Sequence, residues 1–239
     1  MTTLYTWSTP NGRKISIALE EMGLPYEVKS INIGQDEQFS TEFLALNPNH
    51  KIPVLVDDGT VVNESGAILL YLAEKTGQFA PERGDPEYWE MMRWLMWQMG
   101  GQGPMLGQAH HFLKFNPGKA PYAEERFGKE ARRLYGILDQ HLEGREFVLS
   151  DLSICEFAIW PWVSRFEFQQ IDLNTFPAVR DWYLRLADRP GFQKGGPFLC
   201  GRLRHRPAQL LFPPGRSPRC LPQIRPNSQR RQGRLDQAG

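Results

Sequence analysis

Residues 1–33 alternate strand, helix and strand, and this alternation narrows the possible folds more than anything else in the chain. Leu4-Tyr5-Thr6-Trp7 is an apolar, β-favouring run that ends in the turn cluster Ser8-Thr9-Pro10-Asn11-Gly12. Ile15, Ala18, Leu19 and Met22 follow at helical spacing, and Gly23 then Pro25 stop the helix. Residues 26–33, with Val28, Ile31 and Ile33, read as a second strand. Two strands joined by a helix pair in parallel, through a right-handed crossover.

The next 50 residues complete one known pattern. Residues 42–46 form a short helix, and Asp58-Gly59 turns a hairpin between Val54-Leu55-Val56 and Val61-Val62. Ser65 is expected to cap a helix that carries Ile68, Leu69, Leu72 and Ala73 and stops at Gly77. The order βαβ-α-ββα is that of a thioredoxin-like domain over residues 1–80. Residues 81–87 are polar, hold Pro and Gly, and read as a linker. Beyond them the strand signal ends. Residues 88–115, 121–143, 153–168 and 176–188 have helical periodicity, so 88–195 reads as an all-α domain in an α+β protein. Ser153-x-x-Glu156 has the spacing of a capping box.

Residues 196–239 break with this order. They hold seven Pro, nine Arg, no Lys and one acid, Asp236, against an otherwise mildly acidic chain. Two readings are open: a basic tail for anionic partners, or a disordered extension, including an out-of-frame one. The acidic body argues against a nucleic-acid binder. No apolar run is long enough for a membrane span. The N-terminus has no basic segment followed by an apolar run, as a secretory signal requires. Cys155, Cys200 and Cys220 form neither a Cys-x-x-Cys pair nor a disulfide framework, which fits a reducing cytoplasm.

Three segments could carry chemistry. Thr9-Pro10-Asn11 stands where a strand meets a helix N-terminus, whose free N–H groups and partial positive charge suit an anion such as a thiolate. An ordinary turn with Asn11 as N-cap is the other reading. Lys51-Ile52-Pro53 precedes a strand. A cis Pro53 would leave the Ile52 backbone free to pair with a peptide, and a trans Pro would merely open an edge strand. Glu64-Ser65 joins a strand to a helix, where it could grip an amino-acid end through both charges or simply cap the helix. Jointly, in this frame, the three make a site for a short anionic thiol peptide.

On the strings STPNGRKISIALEE, NPNHKIPVLVDD, ESGAILLYLAEKTG, WLMWQMGGQGPMLGQAHHF and FAIWPWVSRF, residues 1–195 resemble a cytosolic glutathione S-transferase of the Nu-class and Ure2p-like bacterial branch. The resemblance implies glutathione as co-substrate, a homodimer, and glutathione-dependent disulfide reduction or conjugation to a small electrophile. It implies that Thr9 and Asn11 contact the glutathione sulfur and are catalytic. It assigns Gln38 and Lys51 to the glycine end, and Ile52, before cis-Pro53, to the cysteinyl backbone. Glu64 and Ser65 would hold the γ-glutamyl end, and Arg126 would reach the partner subunit's glutathione. Another role within the family is a glutathione-binding regulatory or stress-response protein with little turnover.

Three features depart from the family pattern: His50 in place of a polar amide, Cys155-Glu156 in place of Ala-Asp, and the basic tail. No metal is expected, because His110 and His111 are adjacent and diverge by ~100° on a helix. Most of the tryptophans are expected in the core or at a dimer interface, with Trp97 or Phe112 facing the substrate.

Overall fold

The computed structural model describes residues 1–195. Four strands, β1 (Thr2–Thr6), β2 (Glu27–Ser30), β3 (Val54–Asp57) and β4 (Thr60–Asn63), form one sheet in the order β2-β1-β3-β4. β1 and β2 are parallel, and β1–β3 and β3–β4 are antiparallel. The crossover between β1 and β2 is α1 (Pro10–Glu21), as their parallel pairing demands. Residues 1–80 continue through α2 (Thr41–Leu46) and α3 (Ser65–Thr76), which gives the βαβ-α-ββα order of a thioredoxin-like fold.

Burial alternates along β1, with Thr2, Leu4 and Thr6 inside, as a half-covered strand requires. Asp57, at the end of β3, is a buried anchor. It accepts from Thr2 Oγ1 and Tyr71 OH, each at 2.7 Å, and from Lys75 Nζ. That joins β1, β3 and α3 at one carboxylate.

No strand follows Asn63 among the described residues. Residues 77–85 carry no helix or strand, and then come α4 (Pro86–Trp97), α5 (Gly103–Ala109), α6 (Pro121–Leu142), α7 (Ile154–Val163), α8 (Pro177–Ala187) and α9 (Pro190–Lys194). α7 is buried along its whole length and packs on α1, α3 and α4. The expected capping box opens it: Glu156 accepts from the Ser153 N–H at 3.0 Å, and Ser153 Oγ accepts from the Cys155 N–H.

Several boundaries differ from expectation. The N-cap of α1 is Thr9, not Asn11; its Oγ1 accepts from the Gly12 N–H at 3.2 Å. Ser65 is the first residue of α3 rather than its cap, and Glu64 occupies the cap position at φ 68° without a side-chain bond. β2 stops at Ser30, because Asn32 Oδ1 accepts from the Gly34 N–H and folds residues 33–35 into a 3₁₀ turn. The single helix expected over 88–115 is interrupted by two π-helical turns, Gln98–Gln102 and His110–Phe115. That expected over 153–168 ends at Val163 and resumes as a 3₁₀ turn, Phe166–Gln169. The basic tail lies outside the described residues.

Candidate functional site

The N-termini of α1 and α3 and the loop before β3 face α5 and α7 across two adjoining cavities. The smaller, about 260 Å³, is lined by Lys14, Glu64, Ser65, Gln98 and Met99 among others. The larger, about 530 Å³, is lined by Thr9, Gln38, His50, Lys51, Ile52, His110 and Arg165, with the rings of Phe115 and Phe168. Asn11 and Trp162 border both.

This shared wall is held by one hydrogen bond, from Trp162 Nε1 to Asn11 Oδ1 at 3.1 Å. With its carbonyl so engaged, the Asn11 amide is oriented and retains Nδ2 as a donor. The Asn11 backbone N–H, in the first turn of α1, has no partner among the described residues. Thr9 uses an oxygen lone pair to cap Gly12, which leaves its hydroxyl proton to donate. Donors at a helix N-terminus stabilise an anion such as a thiolate.

On the larger cavity, the Ile52–Pro53 peptide is cis. The Ile52 N–H and C=O make no hydrogen bond among the described residues, so a bound peptide could pair with both. Gln38 Nε2 lies 3.4 Å from Asp36 Oδ1, while its Oε1 is buried without a partner. His50 sits at φ 53° with its ring 5.2 Å from that of Phe39. Lys51 is exposed at the rim.

Lys14 is the residue sequence reasoning missed. Its side chain is 1% exposed, and its Nζ donates to Gln98 Oε1 at 2.6 Å, Ser65 Oγ at 3.2 Å and Met99 Sδ at 3.5 Å. All three acceptors are neutral, and Lys14 makes no ion pair among the described residues. Burial pulls its pKa down to about 7, against the opposing field of Glu64. An anion entering beside Ser65 would supply the missing counter-charge. A lysine beside Arg13, on a helix of mixed polar and apolar residues, gives no such signal in the sequence.

The aromatic expectations need correction. Trp97 packs edge-on against Trp94, and Phe112 stacks on Phe127. Trp162, Phe115 and Phe168 line the cavities instead. His110 lies beneath the larger cavity, 2.9 Å from Gln169 Nε2, which also donates to the Trp162 carbonyl. Burial, then the charge of Arg165, lower its pKa to about 4, so it is neutral at physiological pH. Trp94 and Trp160 are in the core, as expected, and Trp89 is exposed on this chain.

Arg126 is not brought to this site by its own chain. It stands exposed on α6, beside a separate cavity that includes Met105, Tyr122 and Phe127. Cys155 is buried in α7, where burial pushes its thiol up, and it lines neither cavity. No cluster of metal-ligating side chains exists among the described residues.

Comparison with known proteins gives a consistent picture. Residues 1–74 match the family described as glutathione S-transferase, N-terminal domain. The disulfide-bond oxidoreductase YfcG of Escherichia coli is 45% identical over 198 residues, which span 80% of this chain and 92% of that protein. The disulfide-bond oxidoreductase YghU of the same organism is 39% identical over 211 residues, 80% of this chain and 73% of that one. Among solved structures, a glutathione transferase of Pseudomonas putida with one glutathione disulfide per subunit superposes with TM-score 0.78 at 38% identity, covering 82% of this chain and 91% of that one. One from Burkholderia graminis, with two glutathione molecules per subunit, gives 0.74 at 40% identity, covering 81% and 86%.

Proposed function

Because the chain belongs to the glutathione S-transferase family, we propose that the two cavities hold glutathione and its acceptor, and that the enzyme reduces disulfides with glutathione thiolate. The observation that carries this reading is the Asn11 amide on the wall common to both cavities, its carbonyl fixed by Trp162. The γ-glutamyl end enters the smaller cavity, where Ser65, Lys14 and the α3 N-terminus meet its carboxylate and Glu64 its ammonium group. The cysteinyl backbone pairs with Ile52 ahead of Pro53, and the glycine end extends toward Lys51 and Gln38. That puts the sulfur at Thr9 and Asn11.

Donation from both side chains and from the α1 N-terminus lowers the thiol pKa, so a larger fraction is thiolate. The thiolate attacks one sulfur of the acceptor disulfide. The acceptor S–S bond breaks, a glutathione mixed disulfide forms, and the other half leaves as a thiolate that takes a proton from water. A second glutathione thiolate attacks the mixed disulfide at the glutathionyl sulfur, giving glutathione disulfide and the second acceptor thiol. Two glutathione thiols supply the two electrons, and no protein cysteine takes part. Attack on a small electrophile, giving a conjugate, uses the same thiolate.

In this reading residues 1–80 form the glutathione-binding domain, 81–87 the linker and 88–195 the domain that receives the acceptor. The chain works as a cytoplasmic homodimer, with Arg126 of one subunit reaching the other's glutathione, and it serves detoxification or defence against oxidative stress. The test is retention on glutathione-agarose followed by glutathione-dependent reduction of hydroxyethyl disulfide. Retention with turnover is expected. Retention without turnover would leave a binding protein, and no retention would overturn the proposal.

A further inference from the structure

Among the described residues the larger cavity has no acid in its lining, and the permanent charges there are Lys51, ahead of β3, and Arg165, just past α7. The proposed function gives Lys51 a task and Arg165 none. Arg165 is half-buried and makes no ion pair among the described residues. Its guanidinium carbon lies 5.5 Å from the centre of the Phe168 ring, and the Lys114 ammonium lies 5.2 Å from the same centre.

Arg13 adds to this positive region from within the fold. It is 6% exposed, with Nη1 3.4 Å from Ser164 Oγ and Nε unpartnered. Burial, and then the charge of Arg165, pull the Arg13 guanidinium down to about 10; burial lowers Arg165 as well. Both remain cations at neutral pH. Two guanidinium groups withdrawn from water, neither paired with a carboxylate among the described residues, project a positive potential, and a cavity with apolar rings in its wall focuses it.

We propose that Arg165 is a specificity-determining residue for the acceptor: it pairs with a carboxylate on the disulfide that meets the bound thiol, so the enzyme prefers acidic disulfides. This rests on the reading that glutathione occupies the site and deepens it by naming the acceptor class. The reaction balances as before; the acceptor's carboxylate stays ionised throughout and is neither formed nor consumed. A guanidinium suits this task because its planar donors match both carboxylate oxygens.

Three small disulfides of similar length separate charge from shape: dithiodiglycolate with carboxylate arms, hydroxyethyl disulfide with neutral arms and cystamine with ammonium arms. kcat/KM is measured with glutathione for wild type, Arg165→Gln and Arg165→Lys, each value divided by the rate of the same disulfide with glutathione alone. Arg165→Gln is expected to lower the acid-to-neutral ratio about tenfold, the worth of one charged hydrogen-bonded pair, and to raise the cation-to-neutral ratio. Arg165→Lys should recover part of the acid preference. If Arg165 only packs on Phe168, the Gln variant will move all three substrates alike, and ratios within twofold of wild type overturn the proposal. Turnover of hydroxyethyl disulfide by wild type keeps the two claims apart: with it, unchanged ratios sink the Arg165 assignment alone, and without turnover of any disulfide both fall.

Discussion

In the proposed site, Trp162 and Asn11 divide the work at the sulfur position between two side chains that sit 151 residues apart in sequence. Asn11→Ala removes the donor itself and is expected to cut disulfide reduction about tenfold or more, in line with other anion-stabilising donors. Trp162→Phe keeps an aromatic ring, though a smaller one, and frees the amide to rotate. It should lower kcat about fivefold, the worth of one hydrogen bond, with the KM for glutathione within twofold. Steady-state kinetics on both variants check this; equal losses in kcat and glutathione affinity would mean that the amide only holds the peptide. Lys14 gives a second prediction, in pH. Its pKa is about 7 in the folded chain against an ordinary 10.5. Between these values the unfolded chain holds a proton that the folded chain has released, so stability rises with pH across that window. Thermal denaturation from pH 7 to 10 should show this rise in wild type and a flatter profile in Lys14→Met. Bound carboxylate reverses the shift, so glutathione binding near pH 7 should take up protons, measurable by calorimetry in buffers of different ionisation heat.

Among the elements, the β1–α1 junction tolerates least. A β-carbon on Gly12 would stand 2.3 Å from Thr6 Oγ1 and 2.5 Å from the Trp7 carbonyl oxygen. Gly12→Ala should therefore cost about 1–3 kcal/mol in denaturant unfolding, and it should move Thr9 and Asn11 with it. The Asp57 anchor acts at the opposite end of the pH scale. Burial raises its carboxyl, but hydrogen bonds from Lys75, Thr2 and Tyr71 outweigh that and bring it to about 2, below its ordinary 3.8. Its contribution is whole above pH 3.8 and is lost as pH falls toward 2; Asp57→Asn should remove about 2 kcal/mol of stability at neutral pH and the associated part of the acid unfolding curve. What was legible at this scale was local chemistry: Asp58-Gly59 for the hairpin, the Ser153-x-x-Glu156 box, and the alternation of strand and helix through Ser30, though not the turn that ends β2 there. Two things were not. α1 is covered by α3, α7 and α9 as well as by β1, so a one-sided apolar stripe could not foretell that Lys14 is buried. The π turns at Gln98–Gln102 and His110–Phe115 have no mark in the residue spacing, and each opens on a residue that lines a cavity, Gln98 the smaller and His110 the larger.

For the whole molecule, the candidate site residues meet only where α5 and α7 face the N-termini of α1 and α3, which is why each segment had a bland reading by itself. Arg126 marks the limit of one chain. α6 exposes Tyr122 and Arg126 beside the cavity that holds Met105 and Phe127, and a second copy would have to bring such an arginine to the glutathione. Light scattering is expected to give twice the chain mass, and Arg126→Ala to raise the glutathione Kd several-fold, about 1 kcal/mol for an exposed charge contact. A monomer with unaltered turnover would remove Arg126 from the site. Cys155 bears on something else. Among the described residues it is the one free thiol, and it is buried away from both cavities. In the proposed reaction the described residues therefore keep no record of a turnover: oxidising equivalents leave with the small molecules, and Cys155 is buried away from alkylating reagents.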